Sequence, residues 1–275
     1  MGFFNSYTKE GKGVNKDEVR PVRPLYFFEI LFRKISKFFP LNMLYVLLTI
    51  PVWVMLFLIV TVVFQAAGAD PEAFDVSVFG DGFYGFAIVF TVFSFLTGPA
   101  TAGITYVFKS FATETPSFIY SDFFENYKKN FKQSSLLMFL TGIFMISCSL
   151  TMRSPDLSFI RIPSLIFLCL LIFVNFYAFS IIVMFKMKFI DILKNSFIFA
   201  LAKLPLNVLL LAIILVVNYF AFAYIPTIGI ILTAVFLYAF CGFLISFSVY
   251  PTIERYMLEP AADIEDEIDN KDFKD

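Results

Sequence analysis

The chain has 275 residues, 59% hydrophobic and 16% charged, with a formal net charge of −1 and no histidine. One soluble core of this length cannot hide that much apolar surface, so the excess must face lipid. Without histidine the commonest metal ligand and general base is missing, and neither a cofactor nor a nucleic-acid partner is expected.

Residues 1–23 form a polar arm. Forty residues rich in polar groups precede the first apolar run, so no cleavable signal peptide is expected. From Pro24 the chain reads "PLYFFEILFRKISKFFPLNMLYVLL". Helical spacing puts Glu29, Arg33, Ser36 and Lys37 on one face and Phe28, Leu31, Phe32 and Ile35 on another. Glu29 and Arg33 stand i,i+4, the spacing of a helical ion pair. Such a stretch should lie flat among the headgroups and turn into the bilayer at Pro40-Leu41-Asn42. A helix needs roughly 20 apolar residues to span, and the first such run covers about 41–66.

An acidic loop (Asp70, Glu72, Asp75, Asp81) leads to the second run, about 84–107. Toward its end stands "FLTGPATAG", Phe95 to Gly103. Pro99 removes the hydrogen bond its N–H would make to the Phe95 carbonyl, which favours a kink. Gly98 and Ala102 form a small-xxx-small pair where another helix can approach closely. Thr97, Thr101 and Thr105 repeat at i,i+4, so their hydroxyls form one stripe and can bond back to carbonyls. Two readings stay open for Thr97, Gly98, Pro99, Thr101, Ala102 and Gly103. One is a packing kink; the other is a broken helix lining a small polar cavity.

A second amphipathic stretch, "YSDFFENYKKNFKQSSLLMFL" from Tyr120, precedes the third run at about 134–152. The fourth covers about 162–185. A third amphipathic stretch, "KFIDILKNSFIFALAKLPLNVLLL" from Lys188, opens the fifth run at about 204–224. A tight turn at Ile225-Pro226-Thr227 leads into the sixth, about 228–251. The stretch 24–258 thus reads as one membrane domain, and 259–275, with eight acids and two lysines, as a solvated, disordered tail.

The expected fold is all-α and polytopic: about six spans with three interfacial amphipathic helices. "PLN" occurs at Pro40-Leu41-Asn42 and again at Pro205-Leu206-Asn207, and Asp122 and Asn126 match Asp191 and Asn195. These matches suggest a hairpin unit repeated three times, with chance similarity among Phe/Leu-rich segments as the competing explanation. Nineteen of the lysines and arginines fall on one side of this topology and only Arg153 and Arg161 on the other. The positive-inside rule then places both termini in the cytoplasm. The 40 phenylalanines and the excess of lysine over arginine fit a low-GC genome, so the location expected is a bacterial plasma membrane. Cys148, Cys169 and Cys241 stand singly within apolar runs and read as small buried residues.

"LTGPATAGITYVFKSF", followed by "FIYSDFFENYKKNFKQSSLL" and preceded by the opening "MGFF", resembles the YesL family of bacterial integral membrane proteins (domain of unknown function 624). The similarity covers the first 140 residues best, and Thr97–Gly103 and Asn130–Gln133 are where the pattern matches. The resemblance implies an association with carbohydrate-degrading enzymes and sugar uptake systems. It brings no catalytic residue.

No Asp, Glu, Lys or Arg falls inside a predicted span, which argues against proton-coupled pumping and intramembrane hydrolysis. Asn175 and Asn218 are the candidate intramembrane contacts, with Asn175 read as helix glue rather than a ligand contact. The function expected is non-enzymatic: an accessory or regulatory partner of carbohydrate uptake. The alternative is a permease-type component of a sugar transporter. No ATPase-coupling loop pattern is visible, and the oligomeric state is left open.

Overall fold

The computed structural model describes residues 23–69, 82–153, 155–223 and 226–258. Most of the polar arm, the acidic loop Asp70–Asp81 and the tail 259–275 lie outside the described residues. Nine α-helices and no strand are found among the described residues: α1 (Arg23–Ala69), α2 (Gly82–Ala112), α3 (Ile119–Lys129), α4 (Phe131–Arg153), α5 (Arg161–Met184), α6 (Phe189–Ala202), α7 (Leu204–Ala223), α8 (Pro226–Leu232) and α9 (Tyr238–Ile253). A π-helical turn at Thr233–Leu237 joins α8 to α9, and a second at Glu254–Leu258 follows α9.

Among the described residues five helical stretches are long and apolar enough to cross a membrane: Pro24–Val52, Phe131–Thr151, Ser158–Met184, Leu204–Phe222 and Ile228–Leu258. The sequence leads one to expect six. The second expected span, 84–107, falls on α2, a 31-residue helix that packs against α1, α3, α4, α5 and α9. Large apolar side chains stand exposed on several helices, among them Leu165 and Ile166 on α5, Val216 and Phe220 on α7, and Ile230 and Ile231 on α8. So many exposed large apolar side chains are compatible with a helical membrane protein.

The expected turn at Pro40 does not occur. α1 runs through Pro40 and Pro51 as one helix of 47 residues, about 70 Å at 1.5 Å per residue. Its amphipathic opening is held by protein as well as by any interface. Phe27 stacks on Phe243 at 5.2 Å, and Phe38 meets the same ring edge-on at 5.3 Å. Ile30 and Leu41 on α1 are fully enclosed. These contacts continue the helix past a proline whose only direct cost is one missing N–H bond and some crowding. The other two amphipathic stretches do form separate helices, α3 and α6, which end at Asn130 and Lys203.

Two aromatic-rich cores lie under those two helices. One joins α1, α2, α3 and α9 around Phe38, Phe108, Phe111, Phe123 and Phe243; the other joins α5, α6 and α9 around Tyr177, Ile181, Ile192 and Ile253. Ring geometry and close packing contribute to holding these contacts. The charged segments gather at the same end. Arg33 of α1 pairs with Glu29 at 3.6 Å, as its spacing predicts, and also with Glu114 beyond α2. Tyr26 of α1 approaches Phe247 near the end of α9, at 6.1 Å. Gln133 at the start of α4 donates to the Met187 carbonyl between α5 and α6, at 2.8 Å.

Candidate functional site

The signature stretch occupies the enclosed half of α2. Gly98 lies against the backbone at the start of α4: a Cβ there would stand 2.8 Å from the Ser135 nitrogen and closer still to the Ser134 carbonyl. Gly103 faces α3, where a Cβ would come within 2.8 Å of the Phe123 carbonyl oxygen and 3.2 Å of its ring. Ala100 and Ala102 are fully buried between these contacts. Three helices therefore meet over six residues of α2, and only the smallest side chains leave room for their backbones. Ser135, completely buried at this crossing, has a hydroxyl without a hydrogen-bond partner.

α2 remains helical through Pro99. The neighbouring hydroxyls bond back as the threonine spacing suggests, Thr97 to the Ser94 carbonyl at 2.7 Å and Thr101 to the Thr97 carbonyl at 2.8 Å. Neither reaches the Phe95 carbonyl that the proline frees. Thr101 also meets the Tyr45 hydroxyl of α1 at 3.2 Å, and the Tyr45 ring stacks on Tyr238 at 4.9 Å. The threonine stripe thus opens onto protein groups of α1 and α9.

Beside it lies a polar node that the sequence reading passed over. Asn42, fully buried on α1, donates through Nδ2 to the carbonyls of Thr233 (3.0 Å) and Ala234 (2.7 Å). Its Oδ1 accepts from the Ala239 N–H at 2.7 Å. Thr233 and Ala234 open the π-helical turn and Ala239 lies just beyond it, where the widened register departs from the α-helical bonding pattern. An unsatisfied buried backbone group is costly, and one amide side chain here bonds three backbone groups. It ties the first helix to the last.

The second "PLN" supplies a matching node. Asn207, also fully buried, accepts from the Tyr177 hydroxyl at 3.0 Å and donates to the Ala200 carbonyl at 2.9 Å. Ala200 lies in the last turn of α6, whose carbonyls have no helical donor ahead of them. Asn207 therefore closes the α6–α7 break and anchors it to α5. Both asparagines sit two residues after a proline at the head of an apolar run, and that repeated "PLN" was the available signal.

Of the two asparagines singled out from sequence, Asn175 joins α5 to α4. Its Nδ2 donates to the Thr141 hydroxyl at 3.1 Å and to the Leu171 carbonyl at 2.9 Å. Asn218 bonds within its own helix, to the Ile214 carbonyl at 2.8 Å, and comes only to 3.9 Å from the Cys241 sulfur. The structure does not bring Asn175, Asn218 and the signature into one constellation. Asn130, in the second matching motif and at the α3–α4 break, donates back to the Asn126 carbonyl of α3 at 3.2 Å.

These contacts define interhelical joints in an apolar bundle. A scan of family models, a search of curated proteins and a search of solved structures each found no match to the chain.

Proposed function

We propose that the chain is a multi-pass protein of a bacterial plasma membrane that acts as a non-enzymatic accessory or regulatory partner of carbohydrate uptake, and that it is related to the YesL family. The carbohydrate association comes from the resemblance of the signature stretch alone. One observation supports the non-enzymatic part. The amides of Asn42, Asn175 and Asn207 are engaged in bonds between or within helices, and no Asp, Glu, Lys, Arg or His lies between Phe38 and Ala69 or between Leu204 and Ile253. An intramembrane hydrolase needs a general base near its water, and these stretches offer no carboxylate, imidazole or amine for it.

In this reading α1, α2, α4, α5, α7 and α8–α9 make six spans. The charged end carrying α3 and α6 faces the cytoplasm, as nineteen of the lysines and arginines require. The proposed repeat gains support from matching bonds: Asn126 donates to the Asp122 carbonyl and Asn195 to the Asp191 carbonyl, both at 2.9 Å. α3 lies on α2 as α6 lies on α5.

For topology, a reporter fused after Asp275 should be active only in a cytoplasmic form, and a cysteine placed at Asp75 should react with an impermeant reagent in intact cells. Activity of an exported reporter at Asp275 would reverse the orientation. For function, deletion should impair growth on an oligosaccharide while sparing growth on simple sugars. Equal growth on every carbohydrate tried would remove the link to uptake.

A further inference from the structure

A cavity of about 270 Å³ opens where α6 gives way to α7 and where α9 ends, lined by Lys203, Leu206, Ser248, Pro251, Thr252, Arg255 and Tyr256. Its lining holds two cations and three hydroxyls, and no carboxylate. The neighbouring acid, Glu254, is not part of the lining and takes a hydrogen bond from the Tyr250 hydroxyl at 3.3 Å. Among the described residues Lys203 and Arg255 make no ion pair; both lie over the Tyr256 ring, at 5.4 Å and 5.7 Å from its centre. Two like charges thus lie near one aromatic ring, beside a pocket lined by three hydroxyls.

We propose that this cavity binds a phosphate group, presented by an anionic lipid headgroup or as free phosphate. Arginine offers a planar fork of donors that suits phosphate oxygens, and lysine adds a compact charge. Ser248, Thr252 and Tyr256 supply neutral donors at the wall. Position supports the same chemistry. Lys203 and Glu254-Arg255 bound an uninterrupted uncharged stretch, 204–253, so the cavity lies where apolar helix meets charged segment. Headgroup phosphates occupy that depth. The inference stands independently of any role in carbohydrate uptake.

The test uses the full chain purified in a neutral detergent, with the thermal unfolding midpoint followed during three titrations: phosphatidylglycerol, phosphatidylcholine and inorganic phosphate. Phosphatidylglycerol should raise the midpoint at lower concentration than phosphatidylcholine. The double variant Lys203→Gln, Arg255→Gln should need about tenfold more phosphatidylglycerol for the same effect, since charge-assisted bonds are lost. Lys128→Gln, Lys129→Gln, an equal charge change on α3, should leave the titration unchanged. A response to inorganic phosphate that the first double variant also loses assigns the site to free phosphate; a response confined to lipid assigns it to headgroups. If the first double variant fails to fold, Arg255→Gln alone, at an exposed position, should still weaken the response. Loss of the effect in the α3 variant to the same degree would overturn the site, as would no response of the wild type to either phosphate-bearing anion.

Discussion

Replacing Gly98 by leucine should abolish recovery of a monodisperse protein, whereas Pro99→Ala should leave assembly intact. A single Cβ at Gly98 already falls inside the contact distance of the Ser134–Ser135 backbone, and that obstacle is main chain rather than a side chain free to rotate. α2 and α4 would have to separate along their crossing, which also displaces Ala100 and Ala102 from their enclosed positions. Overpacking of an ordinary core costs about 1–3 kcal/mol. A leucine against backbone should exceed that range. Pro99→Ala restores an N–H for the Phe95 carbonyl and removes ring atoms from a buried site, effects of opposite sign that should leave about 1 kcal/mol or less. Size-exclusion profile and unfolding midpoint in detergent read both variants. Comparable behaviour of the two would mean that Gly98 is not at a close helix contact.

Asn42→Leu should be the most damaging change among the intramembrane amides. It leaves the Thr233 and Ala234 carbonyls and the Ala239 N–H without the partner that now serves all three. Each buried polar group left unpaired costs about 1–3 kcal/mol, although relaxation of the π turn toward an α-helical register would recover part of it. A net loss of about 2–4 kcal/mol is expected. Asn218→Leu should cost about 0.5 kcal/mol or less, because its bond stays within one helix and its approach to Cys241 is long. Unfolding in a graded denaturing detergent compares the two. If Asn218 proved the more sensitive, the joint between α1 and α8–α9 would lose its importance.

The helical content and apolar runs were readable from the sequence because lipid imposes a simple length and composition rule. The Glu29–Arg33 pair and the bond of Asn175 to a neighbouring helix also followed from spacing and solvent. The partners did not. Gly98 marks itself as a small residue in an apolar helix, but nothing local says that Ser134 will lie on it. Asn42 is harder still: its partners stand 191 and 192 positions away, and the π turn that it satisfies has no distinct composition. The unbroken α1 was missed for a related reason. Proline at position 40 reads locally as a helix start, while the packing of Phe27 and Phe38 against Phe243 that carries the helix past it depends on the far end of the chain. Sequence marked Gly98 and Asn175 but not Asn42 or Asn207, because tertiary contact decides which small and polar residues meet.

The measurement that bears most directly on the proposed role is purification of a tagged full-length chain from native membranes of cells growing on an oligosaccharide, with the co-purifying proteins identified by mass spectrometry. An accessory partner of uptake should bring down the membrane subunits of a sugar transporter in stable proportion. Recovery of an ATPase and a solute-binding protein with no other membrane subunit would make this chain the permease itself, and recovery with no transporter component at all would contradict a role in uptake.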